Sequence, residues 1–306
     1  MCLAEAGPTT GPVVLLAHGW PESWYSWRYQ IPFLAAAGYR VVVPEMRGFG
    51  NTDAPQDIAS YHILNLVEDL AGILPHCETD NAIIVGHDWG ALVAWHCALV
   101  HPDLFPAVAA MSVPHLGRAP EPPTQIWKKR FGDRFYYILY HQKPGVAELE
   151  YDGNPRGLLK MLYATPDAVR KPRLVTDPEY KAGGWIGRMG EPVDLPEWMS
   201  EQDLDFYVAQ FTESGFRGGL NYYRNFDRNW TITKNLDQLV SIPAMFIVGS
   251  RDLTVEHLGE EKLRESMSRL VPDLREFHWV EGAGHWIQQE ESDICNRALL
   301  DFFKRL

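Results

Sequence analysis

The segment Val85-Gly86-His87-Asp88-Trp89-Gly90 lies between an apolar β-branched run and a helical pattern. Glycines two residues to either side of Asp88 permit a tight, strained strand-to-helix turn that pushes the central side chain outward, the form of a nucleophile elbow. The plainer alternative is a glycine-flanked turn in which Asp88 caps the next helix. As a nucleophile, Asp has a particular reach. Ser attacking a saturated carbon would give an ether that water does not release, whereas a carboxylate gives an ester whose carbonyl is open to hydrolysis. An Asp nucleophile therefore predicts a substrate with an electrophilic sp³ carbon and a two-step covalent route. Asp252, in Val248-Gly249-Ser250-Arg251-Asp252, and His285, in Gly282-Ala283-Gly284-His285-Trp286, each follow an apolar run. Singly they read as a helix cap and a loop histidine. Together they complete the order nucleophile, acid, histidine, each at the carboxyl end of a predicted strand, the edge of an open α/β sheet where ligands bind. The carboxylate nucleophile needs no base, which leaves His285 to take a proton from the attacking water. Asp252 would fix the imidazole tautomer and stabilise the imidazolium.

Strands and helices must place these groups. Val13 to Ala17, Val41 to Val43 and Ala82 to Val85 read as buried strands of a parallel sheet covered on both faces. Leu64, Val67, Leu70, Ala71 and Leu74 fall at helical spacing, and a second helix is predicted from Ala91 to Val100, stopped by His101-Pro102. From about Leu116 to Trp230 no strand-like run occurs, but aromatic residues are frequent, including Trp127, Phe131, Phe135, Tyr136, Tyr137, Tyr140, Phe206, Tyr207 and Phe211. Pro172 to Pro196 is predicted as a long loop, and Ser200-Glu201-Gln202-Asp203 as a capping box. The strand–helix rhythm returns at Met245 to Val248, continues through Phe277 to Val280, and closes with a helix from about Ile294. This predicts an α/β core at 1–114 and 231–306 with a helical insert at 115–230. The short lead Met1 to Pro8 leaves an edge strand expected to be missing.

Composition narrows the function class. The 306 residues are 46% hydrophobic and 22% charged, the balance of a globular chain with a core. The formal charge of −12 repels phosphate backbones, so nucleic acid is not an expected partner. No apolar run approaches the roughly 18 residues of a membrane span, and the first basic residue is Arg28, so no secretory signal is expected. Cys2, Cys77, Cys97 and Cys295 are scattered, which suits free thiols in a reducing cytoplasm. Arg47-Gly48-Phe49-Gly50-Asn51-Thr52-Asp53 carries Asp53 where a dinucleotide fingerprint needs its third glycine. No metal-binding His/Cys spacing and no G-x-S-x-G occur, so neither a metal nor any other cofactor is expected.

The elbow, the His18-Gly19-Trp20-Pro21 loop, the Arg47 to Gly50 segment and the Asp252 and His285 turns resemble the α/β-hydrolase superfamily. In that build the N–H groups of Trp20 and Trp89 would form the oxyanion hole. Two segments of the insert narrow the resemblance to the soluble epoxide hydrolases. These are Gly215 to Asn225, with Tyr223 before Arg224, and Leu139 to Glu148, which places a partner tyrosine at Tyr140. Glu45 stands where such proteins commonly carry Asp. The resemblance implies an α/β-hydrolase fold with an inserted helical cap. It also implies hydrolysis of an epoxide to a vicinal diol through an ester on Asp88, with Tyr140 and Tyr223 gripping and protonating the epoxide oxygen. A pocket between core and cap is expected, with His18, Trp20, Trp89, Phe131 and Tyr222 about the substrate. Such a lining favours small apolar aryl- or alkyl-substituted epoxides, with water as co-substrate, acting in a monomer or homodimer. Haloalkane dehalogenation shares the Asp–His–Asp logic but expels halide, which needs N–H donors and no acid, and Trp89 has one. A hydrolase-like scaffold retained for binding is the remaining alternative, although such scaffolds usually lose the nucleophile or the histidine.

Overall fold

The computed structural model describes residues 1–306. Its strands are β1 (Leu3–Ala6), β2 (Val13–Ala17), β3 (Arg40–Pro44), β4 (Ile83–His87), β5 (Val108–Met111), β6 (Ala244–Gly249) and β7 (Leu274–Val280). They form a 7-stranded sheet in the order β1-β3-β2-β4-β5-β6-β7. Every pairing is parallel except that of β1, which runs antiparallel on the edge of β3. Because helices cover both faces, β2 and β6 are buried along their whole length and read as continuous apolar runs. The edge strand expected to be missing is present in short form, since the four residues of β1 suffice to pair Leu3 with Pro44 and Ala6 with Val41. β5, with the sequence Val-Ala-Ala-Met, escaped the sequence reading because it is short and alanine-rich. No helix is long and apolar enough to cross a membrane.

The chain divides into two compact units. The first comprises Met1–Arg47, Ile63–Arg118 and Asn235–Leu306, and the second Gly48–His62 and Ala119–Lys234. The first unit holds the sheet, and the second is built mainly of helices, among them Pro123–Phe131, Tyr137–His141, Val146–Gly153, Glu201–Ser214 and Arg217–Arg224. Gly48–His62 joins the helical unit through contacts that span more than half the chain. A Cβ at Gly218 would stand 2.0 Å from the Gly48 carbonyl oxygen, so the two backbones meet only as glycines. Asn225 Nδ2 donates to the Ile58 carbonyl at 2.6 Å, and Phe49 packs edge-on to Tyr222 at 5.6 Å. Ser200 and Asp203 form the expected capping box, with Ser200 Oγ accepting from Asp203 N–H and Asp203 Oδ2 from Ser200 N–H.

Within the first unit the strand order places β3 on one side of β2 and β4 on the other. Connections leaving β2 and β4 therefore diverge and open a crevice at their carboxyl ends, where such sheets bind ligands. β4 ends at His87 and the helix Trp89–Val100 begins one residue after Asp88, whose φ of 52° and ψ of −118° are sparsely populated for a side-chain-bearing residue. Gly86 and Gly90 make this turn possible. A Cβ at Gly86 would lie 2.1 Å from the Gly90 carbonyl oxygen, and one at Gly90 would lie 2.0 Å from that of Ala17. Asp88 makes no side-chain capping bond to the helix that follows, so the plainer cap reading does not hold. Gly90→Ala should destabilise the protein by about 1–3 kcal/mol through this overpacking. A thermal unfolding midpoint equal to that of the parent would show that the turn has room to spare.

Candidate active site

Four loops at the carboxyl edge of the sheet, those after β2, β4, β6 and β7, converge within the first unit. The loop after β2 supplies Trp20, whose N–H donates to Asp88 Oδ1 at 2.8 Å. Gly19 lets that loop close over the elbow, because a Cβ there would sit 2.4 Å from Asp88 Oδ1. The loop after β7 supplies His285, whose Nε2 lies 3.5 Å from Asp88 Oδ2. On the other side of the ring, Nδ1–H donates to Asp252 Oδ2 at 2.8 Å, from the loop after β6. Asp252 Oδ1 accepts from Thr254 N–H at 2.8 Å and lies 2.7 Å from the Thr254 hydroxyl, so both carboxylate oxygens are engaged. Side-chain exposure separates the three groups. Asp88 keeps 15% and His285 23%, but Asp252 only 1%, so ligand and water reach the first two while the third is sealed behind the ring.

Electrostatics follow from that enclosure. Burial alone would strip the proton from His285, but the Asp252 and Asp88 carboxylates outweigh it and hold the imidazole well above its ordinary range. Asp252 faces the reverse balance: burial raises it, yet His285 and the Thr254 donors prevail and keep it below the usual carboxylate range. Both shifts favour the ion pair of His285 with Asp252. Trp89 is the first residue of the helix after Asp88, placing its N–H at the helix start beside the elbow.

Such a row can present a carboxylate to an electrophilic carbon, steady a developing oxyanion at Oδ1 through Trp20 N–H, and deliver a base to the same carboxyl group. A family profile for the α/β hydrolase fold matches residues 12–292. Epoxide hydrolase A of Mycobacterium tuberculosis is 43% identical over 313 aligned residues, covering 99% of this chain and 94% of that protein. The chain belongs to the epoxide hydrolases of the α/β-hydrolase family. The family likeness extends to solved structures. The crystal structure of Epoxide Hydrolase A from Mycobacterium thermoresistibile superposes with a TM-score of 0.89 at 41% identity, covering 99% of this chain and 94% of that one. An epoxide hydrolase from an endophytic Streptomyces gives a TM-score of 0.90 at 38% identity, covering 99% and 91% of the two chains.

Three further residues named from the sequence have partners of their own. His18 is buried. Its Nε2 accepts from Met46 N–H at 3.0 Å and its Nδ1–H donates to the Gly19 carbonyl at 2.9 Å, so the ring ties the loop after β2 to the loop after β3. Tyr222 is 1% exposed and packs on Phe49 and Tyr61, an aromatic core position of the second unit. Phe131 stacks on Tyr136 at 4.0 Å, with the Arg130 and Arg134 guanidiniums over its ring.

Within the second unit, Tyr140 is not the tyrosine beside Tyr223. Its hydroxyl donates to Glu150 Oε2 at 3.0 Å, and the same carboxylate accepts from Trp185 N–H and Ile186 N–H, each at 2.9 Å. Tyr140 thus helps anchor the Pro- and Gly-rich stretch 172–196, and burial with the Glu150 charge beside it raises its phenol far above the ordinary range. The neighbour of Tyr223 is Tyr137, with ring centroids 6.1 Å apart, and Tyr137 also stacks on Trp185 at 4.7 Å. Arg224 Nε donates to the His141 carbonyl at 2.9 Å and Gln142 Nε2 to the Tyr223 carbonyl at 3.0 Å, clamping the two tyrosine-bearing helices together. Tyr137 lies two residues before the Leu139 to Glu148 segment and one helical turn before His141, so helical spacing was the signal available for it.

Behind the site lies a buried polar network that the sequence reading did not single out. His87 Nε2–H donates to the His285 carbonyl at 2.8 Å, and its Nδ1 lies 2.6 Å from Glu22 Oε1. Glu22 also accepts from Gly19 N–H and from Gln288 Nε2, each at 2.8 Å. Both side chains are fully buried, which accounts for their complete pairing. Because Asp88 is one of the two carboxylates that raise His285, Asp88→Asn should lower the imidazole's pKa. An NMR titration of His285 in the parent and the variant checks this, and a midpoint that rises or stays put would sink the electrostatic account.

Proposed function

We propose that the protein hydrolyses an epoxide to a vicinal diol through a covalent ester on Asp88, with the helical unit acting as a cap. The observation that carries this reading is the elbow carboxylate held between Trp20 N–H on Oδ1 and His285 Nε2 beside Oδ2. In the first step Oδ2 attacks an epoxide carbon, the carbon–oxygen bond breaks, and a cap tyrosine hydroxyl gives its proton to the departing oxygen. An alkoxide is strongly basic, and this transfer removes the need to form it free. We assign that work to Tyr223 with Tyr137, in place of Tyr140, because Tyr140 already donates to Glu150 and its phenol is a weaker acid there.

Ester formation converts the Asp88 carboxylate into a neutral group. One of the two charges that keep His285 protonated then vanishes, so the imidazolium becomes a stronger acid and releases its proton more readily. The neutral ring takes a proton from water as that water attacks the ester carbonyl, and Asp252 stabilises the imidazolium that re-forms. The oxyanion on Oδ1 is met by Trp20 N–H and, in this reading, by Trp89 N–H. Loss of one such donor typically costs about 10²–10³ in rate. The proton that His285 releases at the ester stage restores the tyrosine hydroxyl. On collapse the bond from the tetrahedral carbon to the diol oxygen breaks, that oxygen takes the proton of the added hydroxyl by way of His285, and the diol leaves with the Asp88 carboxylate and the His285 imidazolium restored. No cofactor takes part in either step. Its four cysteines are all free thiols, which suits our placement of the enzyme in the cytoplasm.

His285→Gln incubated with styrene oxide should gain the mass of one epoxide, and adding Asp88→Asn should prevent the gain. Adducts from a haloalkane but from no epoxide would move the assignment to dehalogenation, and adducts from neither would favour a binding scaffold. A second comparison addresses the acid. Tyr137→Phe combined with Tyr223→Phe should lower diol formation by about 10²–10⁴, whereas Tyr140→Phe should leave most activity. The reverse ranking would restore Tyr140 to the site.

A further inference from the structure

One side chain holds the peptide N–H groups on both sides of His285. Glu290 Oε2 accepts from Gly284 N–H at 2.7 Å, and Oε1 accepts from Trp286 N–H at 2.8 Å. The carbonyl between them, that of His285, accepts from Ser112 Oγ at 2.7 Å and from His87 Nε2 at 2.8 Å. Backbone groups on either side of the catalytic ring are therefore pinned from two directions, from the end of the short helix Ile287–Glu290 that follows and from the ends of β4 and β5.

We propose that Glu290 is a positioning residue for the ester-hydrolysis step, its carboxylate clamping the two amides beside His285 so that the ring meets Asp252 and Asp88 together. The inference rests on the reading of Asp88 as a nucleophile and His285 as the base. A carboxylate suits the task because both of its oxygens only accept, so each takes one N–H. An amide in its place would accept one N–H and turn its own donors toward the other. The clamp also depends on Gly284, since a Cβ there would stand 3.0 Å from Glu290 Oε1. Burial raises the Glu290 carboxyl while the two amides and His285 lower it, so the clamp is maintained at a cost that a plain loop residue would not carry. The arrangement bears on one half-reaction only. Attack of Asp88 on the epoxide needs no base, but the water must lie between the Asp88 ester and Nε2. A misplacement of about 1 Å there costs about 10²-fold in rate.

Rapid-quench intact-mass spectrometry with styrene oxide, on the parent, His285→Gln, Glu290→Gln and Glu290→Asp, tests this. Glu290→Gln should form the Asp88 adduct at the parent's rate and hydrolyse it up to about 10²-fold more slowly, so that adduct stands at steady state. Glu290→Asp, which keeps the charge on a shorter arm, should recover part of the loss. Ester hydrolysis at the parental rate in Glu290→Gln would overturn the proposal, as would an equal fall in both half-reactions, which marks a purely structural role. An adduct in His285→Gln with none in Glu290→Gln defeats this inference alone. No adduct on Asp88 in His285→Gln defeats the underlying reading and this inference with it. Should Glu290→Gln fail to fold, Glu290→Asp decides by the same ratio of half-reactions, and failure of both to fold would overturn the positioning role.

Discussion

The turn at Asp88 carries a side chain at φ 52°, where only glycine is unstrained, and most of the site's geometry depends on its being held there. Such a residue costs on the order of 1–3 kcal/mol and persists only where its surroundings over-determine it. Here they do so through contact. Gly86 lies against the Gly90 carbonyl, Gly90 against that of Ala17, and Gly19 against the Asp88 carboxylate itself. Any side chain at these positions would push apart the ends of β2 and β4. The strain directs Asp88 away from the helix it precedes and into the crevice that the strand order opens.

Charge is the second constraint. Two carboxylates and an imidazole lie in a row at the edge of a buried sheet, a costly arrangement unless each member has partners. Asp252 has His285 on one oxygen and Thr254 on the other; Asp88 has Trp20 N–H on one and His285 on the other. His285 is in turn held by its backbone, from Glu290, Ser112 and His87, and His87 is held by Glu22. Rigidity in the outer groups thus supports a proton that moves at the inner ones, since the charge on Asp88 is the quantity that changes between the two halves of the proposed reaction.

The helical unit follows a different logic. Its interior is aromatic, and a few charged side chains work as joints between helices and loops. Glu150 joins Tyr140 to the backbone at Trp185 and Ile186, while Arg224 pairs with Glu148 at 2.7 Å and reaches the His141 carbonyl. Of the several tyrosines in one short stretch, these joints decide which hydroxyl is committed within the fold. Tyr140 is committed to Glu150, and Tyr137 is the one beside Tyr223.

What the sequence by itself determined was local. Glycine spacing around Asp88, the apolar runs of β2, β4 and β6, and the capping box at Ser200 all act over a few residues, because strain, periodicity and capping are short-range. The order of Asp88, Asp252 and His285 at the ends of β4, β6 and β7 was likewise readable, since parallel strands present their carboxyl ends on one edge. The tertiary structure decided everything that depends on a partner distant in the chain. It grouped Gly48–His62 with the helices through Gly218 and Asn225, tied His18 to the Met46 backbone, and gave Tyr140 to Glu150. It also brought Glu22, 65 residues from His87 in sequence, into contact with it. A hydroxyl, an imidazole or a carboxylate takes whichever partner packing delivers, and its residue type alone carries no record of that choice.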